Sequence, residues 1–197
     1  MKTLLTTLVL IIIFSGGALA EPFAYVANFD SNDVSVVDLS TNKVVDTVDV
    51  GTGPIGVAIG DDGKSVYVSN NGDSTVSVIR TSDNEVIATI DDAGDNPEGL
   101  AASPDGNFVY VAYDNGVSKI RTSDNTVVDT LDVGGDTLTL ELTTEGELIA
   151  REDIPSPTEE GKIKSLVVTP DDKFVYITNI IEGKLFILQT SNFSELD

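Results

Sequence analysis

Apolar runs of four to six residues, rich in β-branched side chains, recur along this chain and are separated by clusters of Asp, Asn, Gly and Pro. Runs that short, bounded by turn residues, predict strands rather than helices. They also repeat in order. Phe23-Ala24-Tyr25-Val26-Ala27-Asn28 returns as Ser65-Val66-Tyr67-Val68-Ser69-Asn70, as Phe108-Val109-Tyr110-Val111-Ala112-Tyr113 and as Phe174-Val175-Tyr176-Ile177-Thr178-Asn179. The first three tyrosines are spaced by 42 and 43 residues.

Three further elements share this period. Val34-Ser35-Val36-Val37 matches Val76-Ser77-Val78-Ile79, Val117-Ser118-Lys119-Ile120 and Leu185-Phe186-Ile187-Leu188. Val44-Val45-Asp46-Thr47-Val48 matches Val86-Ile87-Ala88-Thr89-Ile90 and Val127-Val128-Asp129-Thr130-Leu131. Before each later tyrosine strand comes a run such as Gly56-Val57-Ala58-Ile59 or Gly99-Leu100-Ala101-Ala102, followed by Asp-Gly or Pro-Asp turn residues.

Self-similarity at this period marks a repeat architecture. Each full unit predicts four short strands, a to d. Strands b and c are apolar on both faces and strand a is small, as in sheets packed radially around an axis. The expected fold is all-β, a β-propeller of four-stranded blades with about four irregular or incomplete blades; a linear β-solenoid is the alternative. Units are expected near residues 23–53, 54–96 and 97–136, with a truncated unit at 137–161 and a partial unit at 162–197. The Pro- and Glu-rich stretch from Asp153 to Gly161 replaces strands c and d of the truncated unit. The strand tally is three, four, four, two and three. That leaves open four irregular blades, a partial ring that pairs with a second copy, or a truncated reading frame. An open arc exposes an apolar face and a strand edge, so a homodimer through the open edges is expected.

Met1–Ala20 reads as a signal peptide: Lys2, an apolar run from Leu4 to Phe14, the breaker Ser15-Gly16-Gly17, and the small-x-small site Ala18-Leu19-Ala20. The run is shorter than the roughly 20 apolar residues of a spanning helix. The repeat domain is then 21–197, with no membrane span after cleavage, and the expected location is secreted or at the cell surface.

Composition narrows the chemistry. With neither Cys nor His, disulfides, thiolate metal sites, Ser–His triads and His-ligated metals are excluded. Eleven Lys and Arg stand against 33 Asp and Glu, a formal charge of −22, which disfavours nucleic acid as a partner.

Among the loops, Asp91-Asp92-Ala93-Gly94-Asp95-Asn96-Pro97-Glu98 places four carboxylates in eight residues. Asp91, Asp92, Asp95 and Glu98 are a candidate Ca²⁺ site, since oxygen ligands suit that ion. They lack EF-hand spacing, and the same residues make an ordinary solvated turn. The tyrosines in register read as core rather than as a stacking platform. Arg80 and Arg121, equivalent in strand c, are expected to neutralise neighbouring acids. No residue set identifies a catalytic reaction, and no cofactor is required, with Ca²⁺ the one candidate.

Tyr176-Ile177-Thr178-Asn179, Ser40-Thr41-Asn42-Lys43-Val44-Val45, Gly53-Pro54-Ile55-Gly56-Val57-Ala58 and Ser103-Pro104-Asp105-Gly106 together resemble the YVTN-family β-propeller repeat. The resemblance runs over most of Phe23 to Asn192. It implies a propeller, commonly seven-bladed, in an exported or surface-layer-type protein. Some relatives with similar repeats are lactonases or haem-bearing reductases, without a shared catalytic motif. The functional expectation is a non-catalytic extracellular or cell-surface binding scaffold with an unidentified partner. The alternative is a propeller enzyme such as a lactonase or lyase, Ca-assisted.

Overall fold

The structure, a computed structural model, describes residues 10–12, 23–60, 63–114, 116–132, 138–142, 148–152, 163–168, 173–179 and 184–190. Its side chains are described for 23–60, 63–114 and 116–131, and for Val168, Lys173, Val175 and Thr190. The chain is all-β and every strand pairing is antiparallel.

The first sheet comprises β1 (Leu10–Ile12), β2 (Phe23–Asn28), β3 (Asp33–Asp38) and β4 (Lys43–Asp49), in that order. The second has β5 (Pro54–Ile59), β6 (Ser65–Asn70), β7 (Thr75–Arg80) and β8 (Glu85–Ile90). The third has β9 (Leu100–Ala102), β10 (Phe108–Tyr113), β11 (Gly116–Arg121) and β12 (Thr126–Asp132). A two-stranded sheet, β13 (Leu138–Leu142) and β14 (Leu148–Glu152), precedes a three-stranded one, β15 (Ile163–Val168), β16 (Phe174–Asn179) and β17 (Lys184–Gln189).

Successive sheets stack face on face. β5 lies against β2 and β9, and β15 lies against β9 and β10, so the last sheet follows directly on the third. The β13–β14 hairpin stands outside this succession, with β14 beside β17.

One element departs from the expected tally. The first unit was expected to supply three strands, yet Leu10–Ile12, inside the leader-like segment, pairs with β2 in the register Leu10 to Val26, Ile11 to Tyr25 and Ile12 to Ala24. Val57-Ala58-Ile59 occupies the same register beside β6, and Leu100-Ala101-Ala102 beside β10. The edge place beside strand b needs only a short extended apolar run, and Leu-Ile-Ile meets that need.

Alternation along the strands gives the first three sheets apolar faces, and two cores form between them. Tyr25, Ala27, Val34, Val36 and Val48 of the first sheet pack on Val57, Val66, Val68 and Ile79 of the second. Ala58, Tyr67, Val76, Val78 and Ile90 then pack on Leu100, Val109, Val111 and Ile120 of the third. At about 25 cal/mol per Å² of apolar surface removed from water, such faces are the main force holding sheet to sheet.

The c–d turns place Asn42, Asn84 and Asn125 at φ of 55°, 57° and 56°. Asn is among the few non-glycine residues that visit this left-handed region readily. Each c–d pair also carries a β-bulge at the equivalent place, between Val36 and Val37, Val78 and Ile79, and Lys119 and Ile120. The residues left unpaired by these shifts are Val45, Ile87 and Val128, and all three are exposed. A bulge re-aims one residue outward, and here that residue is an aliphatic side chain each time.

Candidate functional site

Antiparallel strands bring the b–c and d–a loops to one rim of the stack and the a–b and c–d turns to the other. Main-chain bonds knit the first rim together: Val50 N donates to Asn32 O (3.0 Å), Gly72 N to Thr52 O (2.9 Å) and Asp114 N to Asp95 O (3.0 Å). On the opposite rim Thr81 N donates to Lys64 O (2.9 Å) and Thr122 N to Asn107 O (3.0 Å).

Charge is divided between the rims. The described loops 28–33, 49–54, 70–75, 91–99 and 113–114 with 116 carry Asp30, Asp33, Asp49, Asp73, Asp91, Asp92, Asp95, Glu98 and Asp114, and no Lys or Arg. Lys43, Lys64, Arg80 and Arg121 lie on the opposite rim, whereas Lys184, which opens β17, holds the loop-rim place equivalent to Asp33.

The proposed Ca²⁺ loop is held by its backbone. Glu98 N donates to Ala112 O (2.8 Å) and Ala112 N to Gly99 O (2.8 Å). The Glu98 carbonyl accepts from Ser69 Oγ (2.6 Å), and the Ala93 carbonyl accepts from Ser118 Oγ (2.9 Å). Asn96 donates through Nδ2 to Asp114 Oδ2 (2.6 Å). Gly94, at φ 100°, lies against the Tyr113 ring, leaving no space for a Cβ. The loop is thus fixed to both neighbouring sheets.

Its carboxylates do not converge. Asp91, Asp92 and Asp95 are exposed, while Glu98 is buried. Among the described residues no group of three or more acidic side chains is arranged to hold a metal ion. The structure therefore does not bring Asp91, Asp92, Asp95 and Glu98 together as a ligand set.

Polar side chains on this rim mostly serve its own loops. Asn28 Nδ2 donates to Asp33 Oδ1 (2.6 Å) and Ser35 Oγ (2.8 Å). Asn70 Nδ2 donates in the same way to Thr75 Oγ1 and Ser77 Oγ, both at 2.9 Å. Asn70 Oδ1 is a buried acceptor without a partner among the described residues. Phe29, half exposed, stands against Gly53 on the rim.

At the opposite rim, ion pairs meet the expectation for the two arginines. Arg80 reaches Asp83 (2.6 Å) and Glu85 (3.1 Å), and Arg121 reaches Asp124 (2.7 Å). The Arg121 hydrogen bond, with a second from Thr126, pulls the Asp124 carboxyl down to about 2. Arg80 lowers Asp83 likewise, and hydroxyls of Ser40 and Thr41 lower Asp38.

A polar device that the sequence did not disclose crosses the sheet interfaces. Tyr25 is buried in the first core, yet its hydroxyl donates to Asn84 Oδ1 in the c–d turn of the second sheet (2.8 Å). Tyr67 makes the equivalent bond to Asn125 Oδ1 of the third (2.8 Å). Asn84 also donates to Asp46 Oδ2 (2.9 Å), and burial together with Asp46 pushes the Tyr25 hydroxyl above its usual range. The signal lay in two residues that recur in step, a tyrosine in strand b and an asparagine in the c–d turn.

Among solved structures, the chain is similar to the Kuenenia stuttgartiensis hydrazine synthase, with a TM-score of 0.60 and 21% identity over 85% of this chain and 46% of that one. It is also similar to the structure of U3-55K, with a TM-score of 0.56 and 12% identity over 85% of this chain and 48% of that one. Both likenesses concern a propeller-like fold alone, and the chain spans under half the length of either structure. No curated protein matches it. Residues 17–147 match the family described as a domain of unknown function, DUF5074. The chain belongs to the DUF5074 family.

Proposed function

We propose that this chain is an exported β-propeller repeat protein of the YVTN type, working outside the cytoplasm or at the cell surface as a non-catalytic binding scaffold. The observation that carries this reading is how the loop rim spends its polar groups. Asn28, Asn70, Asn96 and Ser118 bond to neighbouring loop atoms, and the exposed Asp91, Asp92 and Asp95 do not gather into a reactive group. General acid–base chemistry on carboxylates needs one of them held protonated by burial or by a close like charge. On the other rim arginine and hydroxyl partners pull Asp124, Asp83 and Asp38 downward, which favours the charged form.

Acidic loops along the first three sheets, with the half-exposed Phe29 among them, suit a partner whose contact surface is basic. Export is supported by the Lys2, Leu4–Phe14 and Ala18-Leu19-Ala20 pattern.

The enzyme alternative is tested by incubating the full-length protein with a panel of sugar lactones and simple esters, with and without EDTA. No turnover above the uncatalysed rate is expected; turnover that EDTA abolishes would overturn the scaffold reading. Export is tested by sequencing the N-terminus of protein recovered from a secreting host. It is expected to begin at Glu21, and a chain beginning at Met1 counts against it.

A further inference from the structure

We infer that the bulges at Val45, Ile87 and Val128 guard the outer edges of β4, β8 and β12, breaking each ladder so that no strand of another chain can add to it.

These three strands need a guard. Each stands last in its sheet, so among the described residues one edge of each has no partner strand. Unpaired N–H and C=O groups along such an edge are a template for a further strand. The sequences are also of a kind that pairs readily. Val44-Val45-Asp46-Thr47-Val48 and Val127-Val128-Asp129-Thr130-Leu131 hold one acid each, and Val86-Ile87-Ala88-Thr89-Ile90 holds no charge at all. None of them has Gly or Pro, and β-branched residues dominate all three.

The bulges fall where that hazard lies. The central b–c ladders, β2 with β3, β6 with β7, β10 with β11 and β16 with β17, run without a shift. In the c–d ladders the shift recurs at one place, after Val36, Val78 and Lys119. An extra residue there bends and twists the strand, so its outward N–H and C=O groups fall out of step with a straight partner.

The core does not require the extra residue. Val36 lies opposite Asp46 and Val37 opposite Val44, so without Val45 these two rungs become neighbours in plain alternation. The rungs on either side of Ile87 and of Val128 are related in the same way. Val48, Ile90 and Leu131 would keep their places opposite Val34, Val76 and Val117. The bulged side chains, all exposed, add little packing. What the bulge alters is the outer edge.

Sedimentation velocity of the full-length protein over about 1 to 100 µM tests this. Removing Val45, Ile87 and Val128 together should raise the weight-average sedimentation coefficient above wild type by about half or more at the top of the series, with an infrared signature of intermolecular sheet. Adding Thr47→Lys, Thr89→Lys and Thr130→Lys to that protein, all at exposed positions, should restore the wild-type coefficient, because a lysine on an edge strand repels a partner strand. Those lysines reduce the net negative charge, so the rescue cannot come from stronger overall repulsion. Replacing Val45, Ile87 and Val128 with Thr keeps the bulges and should leave wild-type sedimentation. A deletion protein that sediments as wild type does would overturn the proposal. So would association that survives the lysines, which is the mark of a lost fold, or association of the Thr variant, which would put the effect in the side chains.

Discussion

A tyrosine hydroxyl and a turn asparagine, 59 residues apart in one case and 58 in the other, hold the sheets in azimuthal register. Apolar faces attract but slide; a hydrogen bond across the interface fixes where they stop. Tyr25→Phe keeps the ring and leaves Asn84 Oδ1 without its donor, so a loss of about 1 kcal/mol is expected. That appears as a fall of roughly 2–4 °C in the midpoint of a thermal melt. On the opposite rim the acid limb should follow Asp124. Its carboxyl is held below the ordinary 3.8, at about 2, so its contribution is present above pH 4 and lost as pH falls through 2. Asp124→Asn or Arg121→Ala should flatten the acid limb of a melting-temperature profile between pH 4 and pH 2, and an unchanged limb would refute the assignment. Tyr25 acts with the opposite sense: its raised value means stability falls as pH climbs past 10. The tyrosines were legible as core because their neighbours are apolar in alternation. Their bonds were not, because those depend on how one sheet stacks on the next, which no local pattern encodes.

Strands were the most legible elements, since β-branched runs and Asp-Gly or Asn turns act over a few residues. Their bulges were half written as well. Val44-Val45, Val86-Ile87 and Val127-Val128 break alternation at the same place in each strand d, and that doublet is the trace of the extra residue. Because Val45, Ile87 and Val128 are exposed, replacing all three with Thr should leave the melting midpoint within about 1–2 °C of wild type. The d–a loop is the contrasting case. Its acids drew the sequence reading toward a cation, whereas its backbone ties two sheets together. Gly94→Ala is expected to cost more than any change to Asp91, Asp92 or Asp95, because φ 100° and the Tyr113 ring both exclude a Cβ. Comparative urea unfolding of Gly94→Ala and Asp92→Asn checks that order.

Across the whole molecule, a charge of −22 makes self-repulsion a standing cost to the stacked state. Raising NaCl from 0.05 to 1 M shortens the screening length from more than about 10 Å to about 3 Å, so the melting temperature should rise with salt. β1 adds an element of timing. Leu10–Ile12 lies within the segment proposed above as a leader, and it pairs along one edge of β2. A full-length precursor and a chain trimmed to Glu21 thus differ in their main-chain protection as well as their length. Hydrogen exchange of β2 amides should quicken once the first twenty residues are gone. A maturation cut would then turn a sealed border into an open one, and solvent would reach a row of amides that the longer chain keeps dry.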